Sequence, residues 1–141
     1  MKTFDFSKVN LILTESASGA QHIVTGFANN STIDAAYAGD AFTKHIGAKG
    51  GDDAAFAVNN DHSGTIKFKL MSTSESNKTL VALYNNRTEF SAYIVDGNDI
   101  SKSECGGDSC ILQKPADYSR GEEIQSPEYT IGVLNLKINY D

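Results

Sequence analysis

Few residues in this chain could do chemistry: three histidines, two cysteines and a handful of adjacent carboxylates. Asp61-His62-Ser63 sets an acid, a base and a hydroxyl side by side. Nucleophilic triads are not built that way, because their members converge from separated segments. With Gly64 following and an apolar alternation beyond it, this stretch reads as a turn leading into a strand. His22 falls at a strand start and His45 within a long irregular stretch, and both read as surface or interface residues. Cys105 and Cys110 flank Gly-Gly-Asp-Ser. That spacing suits two free thiols beside a Gly-rich turn in a reducing compartment, and this is the first reading. A disulfide closing the turn is the second. Half of a zinc site is the third, although no histidine stands at ligand spacing. Gly47-Ala48-Lys49-Gly50-Gly51 lacks the G-x-x-x-x-G-K-[ST] spacing of a phosphate loop and reads as a flexible loop. Asp52-Asp53 has no D-x-D-x-D-G calcium loop around it, and Glu122-Glu123 is a solvated pair. The residues therefore predict no catalytic group, no metal ligand and no cofactor, and the chain does not read as an enzyme.

The elements that carry these residues are strands. The chain has 141 residues with 12 Gly, 2 Pro and no Trp, and 40% of it is hydrophobic. This suits one domain, spanning 1–141, of short strands joined by turns. Strands are expected at 4–14, 22–27, 32–38, 63–71, 89–95, 109–113 and 129–140. The clearest is 63–71, where Ile66, Phe68 and Leu70 alternate with Lys67 and Lys69. In the last strand Leu134, Leu136, Ile138 and Tyr140 are expected to share one face. One helix is expected over 72–86. Ser72 to Glu75 fits a capping box, Leu80, Leu83 and Tyr84 form an apolar stripe, and Asn85 and Asn86 stop it. The stretch 39–61 shows no clean period, yet it carries Phe42, Ile46, Phe56 and Val58. So long an irregular segment is usually functional or ordered by a partner. The stretch 115–127 is polar and irregular. The fold class is mainly β: an antiparallel β-sandwich or rolled barrel with one flanking α-helix.

Charge and hydropathy narrow the function. The net charge is -6, which opposes the phosphate contacts that nucleic-acid binding needs. An acidic surface suits a passage through which DNA slides without sticking. No apolar run reaches the length of a signal peptide or a membrane span. The mature protein is expected to begin near Met1 and to be made in the cytoplasm without a membrane anchor.

The order of elements resembles one family. Ser63-Gly64-Thr65-Ile66-Lys67-Phe68-Lys69-Leu70-Met71 runs into Ser72-Thr73-Ser74-Glu75-Ser76-Asn77 and then Leu80-Val81-Ala82-Leu83-Tyr84-Asn85. This is similar to the strand, polar cap and helix of tail-tube proteins from contractile-tailed bacteriophages. Phe6-Ser7-Lys8-Val9, Thr32-Ile33-Asp34, Ile46-Gly47-Ala48-Lys49-Gly50 and Cys110 followed by Lys114-Pro115-Ala116-Asp117 resemble further pieces in the same order. The sequence departs from the family pattern at Lys49, where an acidic residue is common, and at Glu75, where Pro often stands.

The resemblance implies a structural subunit of the virion tail, assembled in the host cytoplasm into stacked hexameric rings. Strands of neighbouring copies would join into one continuous ring barrel, whose lumen conducts DNA during ejection without binding it specifically. The implied partners are further copies of itself, sheath protein, baseplate and tail terminator proteins. On this reading Phe42, His45, Ile46, Phe56 and Val58 are expected at a subunit interface, and Asp34, Lys67 and Lys69 at the lumen. The two lysines would then need carboxylates nearby to keep the wall from gripping DNA. Two other readings compete. One is a tube of a secretion system or contractile bacteriocin. The other is a monomeric carbohydrate- or protein-binding β-sandwich module drawing on Tyr37, Tyr93, Tyr118 and Tyr129.

Overall fold

The alternation at Ile66, Phe68 and Leu70 forms the strand it predicts, and all three side chains are buried in the core. In a computed structural model the described residues are 3–140. Met1, Lys2, Asp141 and the side chain of Asp52 lie outside them, and with them the expected start near Met1 and half of the Asp52-Asp53 pair. The strands are β1 (Val9–Glu15), β2 (Gln21–Ile23), β3 (Asp34–Tyr37), β4 (Phe42–Gly47), β5 (Gly50–Val58), β6 (Gly64–Lys69), β7 (Phe90–Asp96), β8 (Ser103–Lys114), β9 (Glu128–Val133) and β10 (Lys137–Tyr140). One helix, α1 (Ser76–Asn85), lies between β6 and β7. Eight strands form one antiparallel sheet in the order β2-β1-β7-β8-β9-β6-β3, with β10 attached to β8. β4 and β5 form a separate two-stranded sheet.

The large sheet curls back on itself. After β2 the chain reaches the far end of β6, where Phe27 bridges to Leu70 and Ala28 N–H donates to the Lys69 carbonyl at 3.0 Å. The roll stops short of a closed barrel. Its concave side buries Leu11, Leu13, Ile66, Phe68, Phe90, Ile131 and Val133, and α1 closes it with Leu80 and Leu83. Phe68 stacks on Tyr129 at 5.7 Å and meets the edge of Phe27 at 6.2 Å. Each such side chain contributes about 1.5–3 kcal/mol by leaving water, so this aromatic column is a main source of stability.

The helix starts by other means than a capping box. Glu75 stands at the cap position without a side-chain hydrogen bond. Instead Ser74 Oγ accepts the Ser76 N–H at 3.2 Å and donates to the Thr25 carbonyl at 2.6 Å. Asn77 donates to the carbonyls of Met71 and Ser74 and accepts from the Tyr129 hydroxyl at 2.6 Å. The polar run 72–77 thus fastens the helix start to the Val24–Gly26 segment and to β9. Gly26 sits there at φ 76°, and a Cβ on it would lie 2.6 Å from Ser74 Cβ. At the other end Arg87, not Asn85 or Asn86, takes the left-handed conformation at φ 52°. Its N–H reaches the Tyr84 carbonyl, and Thr88 N–H reaches that of Leu83.

The cysteine segment is not a turn. Cys105 and Cys110 both lie within β8, whose middle carries a bulge opposite Phe90–Ala92. Gly106 and Gly107 serve close backbone approach instead. A Cβ on Gly106 would overlap the Ala92 carbonyl, and one on Gly107 would lie 2.5 Å from the Asn135 carbonyl oxygen. The last expected strand, 129–140, is likewise two. β9 pairs with Cys110–Lys114 and β10 with Ser103–Gly106, both along the same side of β8. The break between them reverses the expected facing: Leu136 is buried while Leu134 is left exposed.

Candidate functional site

The stretch 39–61, which shows no clean period in the sequence, folds as a hairpin. Gly47 pairs with Gly50 across Ala48-Lys49, and Gly50 takes φ 86°. The glycines expected to form a flexible loop therefore make a tight turn instead. The root is held by Asn59, whose N–H reaches the Ala41 carbonyl at 2.7 Å and whose side-chain amide reaches that of Asp40 at 3.1 Å. The register places Phe42 opposite Val58 and Lys44 opposite Phe56. Directly paired residues share a face, and residues two apart on a strand do too. Phe42, Phe56 and Val58 therefore lie on one face of the ribbon with Lys44, and Ile46 follows where the register shifts before Gly47. His45 pairs with Ala55 and points to the opposite face, away from Phe42, Phe56 and Val58.

That apolar face is bare. Phe42 is 58% exposed, Ile46 64%, Phe56 69% and Val58 65%. Phe42 and Phe56 touch edge to face at 6.4 Å, which is the ribbon's own apolar contact. An isolated two-stranded hairpin is at best marginally stable in water, and clustered exposed apolar residues usually mark an interaction surface.

The charged face lies on the outside of the roll. Asp34 and Lys67 are register partners on β3 and β6, so the structure brings these two together. Lys69, on the same face of β6, is opposite Glu128 of β9, with Nζ to Oε2 at 4.0 Å. Thr32 donates to both oxygens of the Asp34 carboxylate at 3.0 and 2.9 Å, which fixes its direction. Carboxylates thus stand near both lysines: Asp34 by register with Lys67, and Glu128 at 4.0 Å from Lys69. Glu128 is missed from sequence because it sits at the edge of a polar loop. The pairing register of β6 and β9 is the signal that finds it.

The remaining candidates assemble nothing reactive. Asp61 accepts the Ser63 N–H at 3.0 Å and Asn59 accepts the Asp61 N–H at 3.0 Å, two successive side-chain turns. The Ser63 N–H holds the Asp61 carboxyl below its ordinary value. The His62 carbonyl is taken by Leu136 N–H. Cys105 and Cys110 are free. They stand five residues apart along one strand, a separation well beyond the ~7 Å limit for a disulfide. Burial raises both thiols, that of Cys110 to about 11, so neither is an activated nucleophile. Tyr93 donates to the Asp108 carboxylate across β7 and β8, and that bond first, then burial, pushes its hydroxyl up to about 12. Among the described residues no group of three His, Cys, Asp or Glu side chains could hold a metal ion. No described helix is long and apolar enough to cross a membrane.

No protein-family profile matches the chain. It is 35% identical over 83 residues to "Structural protein ORF10" of Pseudomonas phage KPP10. The aligned stretch is 58% of this chain and 46% of that protein, so the chain spans about half the length of that relative. Its fold is similar to a chain in the cryo-electron-microscopy structure of the anti-feeding prophage baseplate, 6-fold symmetrised, with TM-score 0.53 and 11% identity over 100% of this chain and 94% of that one. It is equally similar to a chain in the anti-feeding prophage cap, with TM-score 0.53 and 10% identity over 100% of this chain and 93% of that one. At those identities the likeness is one of fold.

Proposed function

We propose that residues 1–141 form one tail-tube domain, a structural subunit that stacks as hexameric rings in a phage-type tail. The observation that carries this reading is the β4–β5 hairpin, an ordered ribbon whose apolar face has no partner in the described chain. The curled sheet and α1 complete a core without it, so its cost is offset only by docking on another molecule. Phe42, Ile46, Phe56 and Val58 are the interface side chains, and His45 lies on the ribbon's other face. The similarity to a phage structural protein supports a place in the virion, and the fold shared with a chain of a 6-fold baseplate supports ring symmetry. The subunit meets copies of itself, the sheath, the baseplate and the tail terminator, and needs no catalysis.

The charged face fits the lumen of such a tube. Lys67 and Lys69 each stand opposite a carboxylate, Asp34 and Glu128. Carboxylates beside the lysines offset their attraction for phosphates on passing DNA. Asp34, Lys67 and Lys69 then line a wall that is hydrated and locally neutral.

A second reading has its own support: the two folds reported above come from the structures of a baseplate and of a tube terminating cap. The chain would then form a ring at one end of the tail. Reconstruction of the native particle by cryo-electron microscopy separates the two. Density for this fold repeated along the tail supports the tube, and density confined to one end supports the end ring. A strictly monomeric protein that is absent from particles refutes both.

A further inference from the structure

The hairpin needs a receptor, and the same chain carries a surface that fits one. The outer face of the β6-β9-β8 region holds an apolar groove of about 380 Å³. Its floor is Gly132, which stands in register between Thr65 on β6 and Ile111 on β8. A side chain there would fill the trough, and even a Cβ would lie 2.6 Å from the Gln113 side chain. Ile111 and Leu134 line the trough and are more than half exposed, beside the buried Val133. Leu134 is exposed because of the break between β9 and β10. Glu89 also lines the groove.

We propose that this groove receives the β4–β5 hairpin of a second copy. The proposal rests on the assembly reading above and names the surface that completes it. Two features commit it to another copy of this chain. The first is complementarity. The ribbon offers Phe56, Phe42, Ile46 and Val58 around Lys44, and the groove offers Ile111 and Leu134 beside Glu89. Apolar side chains meet apolar side chains, and one ammonium meets one carboxylate. The second is position. Ala38 and Ser63, at the root of the hairpin, also line the groove. The ribbon leads away from that root with its apolar face bare, so the groove is filled by a neighbour's ribbon. Each copy then has a donor arm and an acceptor trough on different surfaces. Such a head-to-tail contact repeats from copy to copy and gives a ring when the rotation closes.

Charge reversal and cross-linking test this on the full chain. Lys44→Glu and Glu89→Lys alter exposed side chains, so circular dichroism should show each folded. Each single variant should raise the concentration needed for assembly about tenfold, and the doubly reversed chain should return to within about threefold of the unaltered protein. In a mixture of Phe56→Cys and Leu134→Cys chains, oxidation should yield a disulfide between those positions, with either chain alone as control. Rings that form without that cross-link, together with a double reversal that restores nothing, would overturn the groove assignment and leave the assembly reading intact. Protein that stays monomeric at every concentration and is missing from particles would overturn both.

Discussion

Phe56→Ala separates a residue held for assembly from one held for folding. Full burial of a Phe side chain is worth about 1.5–3 kcal/mol. Phe56 is 69% exposed, so roughly two-thirds of that gain, ~1–2 kcal/mol, is still to be made on docking. At ~1.4 kcal/mol per factor of ten, truncation should weaken each contact roughly 5- to 30-fold. The critical concentration for assembly, read by sedimentation or light scattering against concentration, should rise by that factor. The isolated chain should scarcely notice, since exposed substitutions change stability by about 0.5 kcal/mol or less. Phe68→Ala is the contrast. Phe68 is 1% exposed and sits between Phe27 and Tyr129, so its loss should cost ~3–5 kcal/mol and lower Tm by roughly 10–20 °C. The reasoning fails if Phe56→Ala lowers the Tm of the monomer as Phe68→Ala does, because Phe56 would then pack within its own chain. It fails equally if the critical concentration does not move.

Four further substitutions or conditions probe the scaffold. Gly106→Ala would drive a methyl into the Ala92 carbonyl and should cost at least ~3 kcal/mol, read as a lower urea midpoint. Arg87→Gly should stabilise by ~0.5 kcal/mol in the same assay, the relief of a left-handed φ of 52° exceeding the lost contact with the Tyr84 ring. Mass spectrometry after treatment with a thiol reagent at about pH 8 should find Cys110 unmodified until denaturant is added, and mild oxidation should leave Cys105 and Cys110 unlinked within a chain. Asp96 is held below its ordinary 3.8 first by the Ser101 hydroxyl and then by Asn98. A depressed folded-state value contributes stability above the unfolded value and loses it as pH falls through the folded one. The Asp96→Asn variant should therefore show a shallower loss of Tm than the unaltered chain as pH drops below 3.8.

The parts legible in the sequence were those whose signal lies inside one element. Ile66, Phe68 and Leu70 alternate with lysines, and one strand with one buried face follows. Leu80 and Leu83 mark the helix because both meet the core of the same chain. Where the cause lies in a second strand, the pattern of one strand alone does not carry it. Gly106 and Gly107 read as turn residues, yet they are glycine because β7 and the β9–β10 break press against β8. Leu134 reads as a core position until the break after Val133 turns it outward. Asp34 and Lys67 stand out in the sequence, but their pairing is a fact of register, and so is that of Glu128 with Lys69. The hairpin shows the limit most clearly. Phe42, Lys44 and Ile46 alternate, and so do Phe56 and Val58, but the pattern is diluted by Thr43, His45 and a run of alanines and glycines. Periodicity identifies strands because a buried face must be continuous to fill a core. A ribbon that fills no core of its own chain is free of that demand, and needs apolar residues only where a docking surface meets it. The sparse pattern of 39–61 is therefore itself the expected mark of a segment whose packing partner lies in another molecule.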